Sequence, residues 1–113
     1  MIKQLMSEDI NDYLKSDSKK ILLDVRTEDE WDSHGKPDGE KLGLKTYFLT
    51  IKDENFFIEF KDLSISKDYE ILTMCKVGQR SQFVAQLLEK NNYICTNISD
   101  GFDGWKSSDL PCL

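Results

Sequence analysis

With 113 residues, 39% of them hydrophobic and 32% charged, the chain has the size and make-up of one globular domain, residues 1–113, able to bury a core of its own. Its net charge of −6 argues against nucleic acid or an anionic membrane as partner, so an anion site would have to be built locally. Three cysteines without a CxxC pair, and a single histidine, suit neither a disulfide framework nor a structural zinc, and no metal or cofactor is expected.

Nothing after Met1 reads as an apolar leader, and no run nears the ~18 apolar residues of a spanning helix, so the expected setting is the cytoplasm. Ser7 can cap a first helix with Ile10, Tyr13 and Leu14 on its apolar side. Ile21-Leu22-Leu23-Asp24-Val25 has the near-continuous apolar character of a central parallel strand. Thr27 and Glu30 then form the two ends of a capping box. Residues 34–43, with Gly35, Pro37, Gly39 and Gly43, form a turn-rich loop, and 44–50 return as a strand. Phe56, Phe60 and Leu63 recur at helical spacing within 53–63. A second buried strand covers 69–74. A helix is expected over 81–90, with Phe83, Val84, Leu87 and Leu88 on its apolar face, ended by Asn91-Asn92. Residues 93–98 read as a further strand, and Asp100 to Trp105 as a glycine-permitted turn. Alternation of this kind predicts an α/β protein with a largely parallel sheet and helices on its faces.

The chemistry gathers at Met74-Cys75-Lys76-Val77-Gly78-Gln79-Arg80-Ser81, where a buried strand ends and a helix begins. Ligands collect at the carboxyl ends of strands in open α/β sheets. Gly78 lets successive N–H groups turn inward as a nest, and the helix behind adds its free N–H groups and dipole. Lys76 and Arg80 add positive charge. Such a field stabilises a thiolate at Cys75, and Ser81 can donate to the sulfur. His34 lies far off in sequence, which leaves a Cys–His pair open, but none is required because the loop can supply a thiolate without proton abstraction.

These residues carry a resemblance. Cys-x-x-Gly-x-Arg-Ser from Cys75 to Ser81 resembles the active-site loop of single-domain rhodanese-like sulfurtransferases. Leu23-Asp24-Val25-Arg26, Glu30-Trp31 and Gly35-Lys36-Pro37-Asp38-Gly39 resemble that family's upstream signature, and Gly101-Phe102-Asp103-Gly104-Trp105 its C-terminal one. The resemblance implies a rhodanese-like fold, a mostly parallel five-stranded sheet flanked by helices on both faces. It also implies that Cys75 takes sulfane sulfur from thiosulfate or a persulfide as a Cys75 persulfide and passes it to a thiol or cyanide. A partner protein in a sulfur relay would fit such a role. Arg80 joins Cys75 as catalytic, with Lys76, Val77, Gly78, Gln79 and Ser81 holding the substrate. Two positions depart from the family pattern: Lys36-Pro37 follows Gly35, and Asp100 precedes Gly101.

Plainer roles stand beside these. Arg80 can brace the loop against a carboxylate, and Lys76 can be merely solvated. Asp24 and Arg26 read as scaffold, Arg26 paired with Glu30 or another carboxylate and Asp24 accepting from backbone N–H groups. Glu28, Asp29, Glu30 and Asp32 read as a solvated helix face. Cys95, Phe56, Phe57, Phe60 and Trp105 read as core, His34 as a surface turn residue, and Cys112 as an incidental or resolving thiol near a mobile end. Two other functions compete. One is a cysteine-dependent phosphatase or arsenate-reductase-like enzyme, disfavoured because four residues separate Cys75 from Arg80 where phosphate loops have five. The other is a non-catalytic binding or sensing module.

Overall fold

Ile21-Leu22-Leu23 has no polar face to give to solvent, and the strand that contains it, β2 (Lys20–Asp24), is buried along its whole length. The computed structural model, which describes residues 1–51 and 55–113, places β2 inside a five-stranded sheet with β1 (Lys3–Leu5), β3 (Lys45–Phe48), β4 (Glu70–Met74) and β5 (Ile94–Ile98). The order is β1-β5-β4-β2-β3, and every pairing is parallel. The chain runs from β2 out to the β3 edge and returns to β4 on the other side of β2. That reversal opens a crevice at the carboxyl ends of β2 and β4.

Side chains alternate between two cores. Ile21, Leu23, Ile71 and Cys75 face α3 (Phe56–Asp62) and α4 (Gln79–Lys90) through Phe56, Phe60, Val84, Ala85 and Leu88. Leu22, Leu72, Met74 and Ile98 face α1 (Ile10–Tyr13) and α5 (Gly101–Ser107) through Ile10, Phe102 and Trp105. Helix α2 (Glu28–His34) starts with the expected capping box. The Thr27 hydroxyl accepts from Glu30 N–H, and the Glu30 carboxylate accepts from Thr27 N–H.

Several expectations are corrected. Lys3-Gln4-Leu5 has no apolar period, yet it forms edge strand β1 because β5 offers it a free ladder. Ser7 does not cap a helix; its N–H and hydroxyl both donate to Asp100. The predicted helix 53–63 is observed over Phe56–Asp62, and Asp53 lies outside the described residues. Helix α4 starts two residues before Ser81, because Gly78 in the left-handed region turns the chain straight into it. Phe83 points to solvent at 59% exposure, and Ser81, Val84, Ala85 and Leu88 make the buried stripe. Asp100 to Trp105 is not a turn: Gly101, also at positive φ, opens α5. The segment after α5 is tied down. Asp38 N–H donates to Pro111 O, Leu113 N–H to Lys36 O, and Trp105 Nε1 to Pro111 O. Among the described residues no helix is long and apolar enough to cross a membrane.

Candidate active site

Cys75 is the first residue after β4, and its side chain turns under α4 rather than out to solvent, leaving the residue 1% exposed. The chain reaches α4 through Lys76, Val77 and Gly78 alone. Gly78 has φ 96°, and a Cβ there would stand 2.3 Å from Ser99 O, so both backbone shape and space demand glycine. The reward of that turn is a donor aimed at sulfur: Gly78 N–H lies 3.1 Å from Cys75 Sγ, and the Ser81 hydroxyl lies 3.3 Å from it. Burial, the largest single influence, pushes the thiol up. The Ser81 hydroxyl and the N–H groups of Ser81, Gly78 and Val77 together outweigh it, and the Cys75 thiol sits below its ordinary range.

The loop is held from behind. Phe102 N–H donates to Cys75 O at 2.8 Å and Asp103 N–H to Lys76 O at 3.2 Å. A Cβ on Gly101 would meet Lys76 O at 2.3 Å, so α5 packs its first turn directly against the loop. On the other side stands Asn97, buried in β5. Its amide nitrogen donates to Gly78 O and Gln4 Oε1, both at 3.0 Å, and its oxygen accepts from Ser81 and Thr73. Neither Asn97 nor Gln4 was a sequence candidate. The available signal was an amide in a buried strand, between Thr96 and Ile98, where a polar side chain must find partners.

The cations are not free. Arg80, in the first turn of α4, makes a two-pronged ion pair with Glu30, Nη1 to Oε1 at 2.6 Å and Nη2 to Oε2 at 2.7 Å. The Arg80 hydrogen bonds, against an opposing effect of burial and with help from Thr27 N–H, hold the Glu30 carboxyl down at about 2. Glu30 in turn raises Arg80. Glu30 is therefore not part of a solvated face. Arg80 thereby ties the first turn of α4 to α2. Lys76 Nζ meets Asp103 Oδ2 at 3.0 Å.

A family model described as Rhodanese-like domain matches residues 7–108. The chain belongs to this family. It is 32% identical to an uncharacterized protein of Rickettsia prowazekii (strain Madrid E), covering 98% of this chain and 97% of that one. It is 23% identical to YtwF of Bacillus subtilis (strain 168), named as a candidate sulfurtransferase, over 97% of this chain and 96% of that one. The polysulfide-sulfur transferase homodimer of Wolinella succinogenes superposes with a TM-score of 0.80 at 21% identity, over 99% of this chain and 78% of that one.

The remaining residues fall into place around the rhodanese loop. Val77 is exposed at its tip. Gln79 and Gln82 of α4, with Gln4, Asn97 and Ser99, line an open groove of about 370 Å³ beside Val77 and Gly78. Arg26 is paired with Asp24, not with Glu30: both are fully buried, Arg26 Nη2 lies 2.8 Å from Asp24 Oδ2, and the guanidinium stacks on Phe102 at 4.1 Å. Asp24 also accepts from Arg26 N–H, and Arg26 Nη2 donates to Gly35 O. The pair fastens the rhodanese signature after β2 to α5 and stays clear of the thiol. Cys95 is core, its thiol pushed up to about 12 by burial first and then by the charges of Glu89 and Glu70. Cys112 is exposed and bridges to Pro37, in a segment anchored by Leu110 and Trp105 to the face of the sheet opposite Cys75. His34 ends α2 at the surface. Among the described residues, no group of three or more His, Cys, Asp or Glu could hold a metal ion.

Proposed function

We propose that the protein is a rhodanese-type sulfurtransferase that carries sulfane sulfur on Cys75. The observation that supports this reading is a buried thiol lowered by converging donors from Val77, Gly78 and Ser81 rather than by a base. The thiolate is available without proton abstraction, and the same donors suit the negative sulfur of a persulfide.

With thiosulfate, the Cys75 thiolate attacks the outer sulfur. The S–S bond of the donor breaks, its electron pair leaves with sulfite, and a Cys75 persulfide anion remains. With a persulfide R–S–SH, the terminal sulfur moves to Cys75 and R–S⁻ leaves. In the second half, an acceptor thiol or cyanide attacks the outer sulfur and the Cys75 thiolate departs. Arg80 and Lys76, each paired with a carboxylate, have N–H groups left over to meet the donor at the loop. The partners proposed are a small anionic sulfur donor and a thiol acceptor, which a second protein in a sulfur relay could carry. The cytoplasm, where thiols stay reduced, suits a chain with three free cysteines.

The test is intact-protein mass spectrometry after incubation with thiosulfate or cysteine persulfide, on wild type and Cys75→Ser, followed by cyanide. One sulfur atom gained by wild type alone and removed by cyanide is the expected result. Equal sulfur gain on Cys75→Ser, or none on wild type from either donor, would sink the reading.

A further inference from the structure

Both cations beside Cys75 are already paired with carboxylates of this chain. Lys76 is bound to Asp103, and Arg80 to Glu30 through two short hydrogen bonds. Arg80 keeps N–H donors to spare, since a guanidinium carries five and Glu30 takes two. Its charge, however, is offset by the Glu30 carboxylate, whose two oxygens lie 2.6 and 2.7 Å from its Nη atoms. Glu30 cannot swing away cheaply, because the same carboxylate accepts from Thr27 N–H and completes the capping box of α2. That helix also presents Glu28, Asp29 and Asp32 as exposed carboxylates around Glu30. A thiosulfate dianion would thus approach a thiolate whose positive neighbours are compensated and whose flanking helix is acidic. A persulfide meets far less repulsion, since it arrives with a charge of zero or one.

Resting on the sulfurtransferase reading above, we infer that Glu30 is a specificity-determining residue that turns the Cys75 site away from doubly charged oxyanion donors and toward alkyl persulfides. The favoured loading step is Cys75–S⁻ + R–S–SH → Cys75–S–SH + R–S⁻. The donor S–S bond breaks, a new S–S bond forms to Cys75, the proton stays on the transferred sulfur, and the electron pair leaves with the thiolate.

The test compares kcat/KM for thiosulfate and for cysteine persulfide in wild type, Glu30→Gln and Asp32→Asn. Glutamine keeps the capping-box acceptor and one oxygen for Arg80 while its amide nitrogen gives up the second hydrogen bond, so circular dichroism of each variant accompanies the kinetics. Glu30→Gln is expected to raise the thiosulfate-to-persulfide ratio by roughly 5- to 10-fold, the scale of removing one partly screened charge near a dianion. Asp32→Asn is expected to move it less than twofold. The wild-type thiosulfate rate should also climb with ionic strength, and Glu30→Gln should flatten that climb. An unchanged or lowered ratio in Glu30→Gln, or an equal rise in Asp32→Asn, overturns the inference while leaving the sulfurtransferase reading intact. Absence of sulfur on wild type from either donor overturns both.

Discussion

The Ser81 hydroxyl lies 2.6 Å from the amide oxygen of Asn97, closer than the 3.3 Å that separates it from Cys75 Sγ. It has a single proton for these two acceptors. The amide nitrogen of Asn97 is committed to Gly78 O and Gln4 Oε1, so its oxygen stays turned toward Ser81. While Cys75 holds its proton, the thiol can donate to Ser81 and Ser81 to Asn97. When the thiolate forms, the hydroxyl proton has to swing to sulfur.

Removing that proton source, or binding it more tightly, is expected to cost thiolate. Ser81→Ala and Asn97→Asp should both move the inflection of iodoacetamide alkylation against pH upward, and slow alkylation at pH 7 by roughly 10- to 100-fold, the range of a hydrogen bond to a charged group. Unchanged profiles in both variants would mean that the backbone N–H groups alone set the thiol.

Gly78 should tolerate nothing larger. Its φ of 96° and the 2.3 Å approach of Ser99 O predict that Gly78→Ala costs about 2 kcal/mol or more and withdraws the N–H from sulfur. Urea denaturation reads the first effect and sulfur loading the second. Loading at the wild-type rate would show that the turn can be rebuilt without its donor.

Glu30 ties stability to acid. Its carboxyl is lowered from 4.5 to about 2, so the folded state favours the ionised form. The stabilisation is fully present above pH 4.5 and is lost as the pH falls from 4.5 to about 2. Urea midpoints measured from pH 6 downward should therefore fall more steeply for wild type than for Glu30→Gln across that window. Parallel curves would contradict a strong Glu30–Arg80 pair in solution.

The central strands, the capped helix α2 and the nucleophile were legible because each rests on local rules: apolar runs, a capping box, a glycine at a strand-to-helix turn. What escaped was decided by partners distant in the chain. β1 exists because β5 has an open edge, and Gln4 matters because Asn97 needs an acceptor, 93 residues away. Phe83 fits an apolar stripe by composition. It lies outside because Ser81, a polar residue, turns inward to the sulfur and sets the buried face at Ser81, Val84, Ala85 and Leu88. Glu30 was hidden among acidic neighbours. Nothing local marks which of four carboxylates on one helix will face an arginine fifty positions on.

The hydrogen bonds from Phe102 and Asp103 to the carbonyls of Cys75 and Lys76, with the clasp of Gln4 on Asn97, have a consequence for biosynthesis. During translation Cys75 emerges before Asn97 and α5, so its loop is made before the partners that hold it from behind. The carbonyls of Cys75 and Lys76 find these partners only once α5 has formed and packed against the loop. A chain cut before β5 lacks both the Asn97 contacts to Gly78 and Ser81 and the two hydrogen bonds from α5, and keeps the loop residues without their fastening.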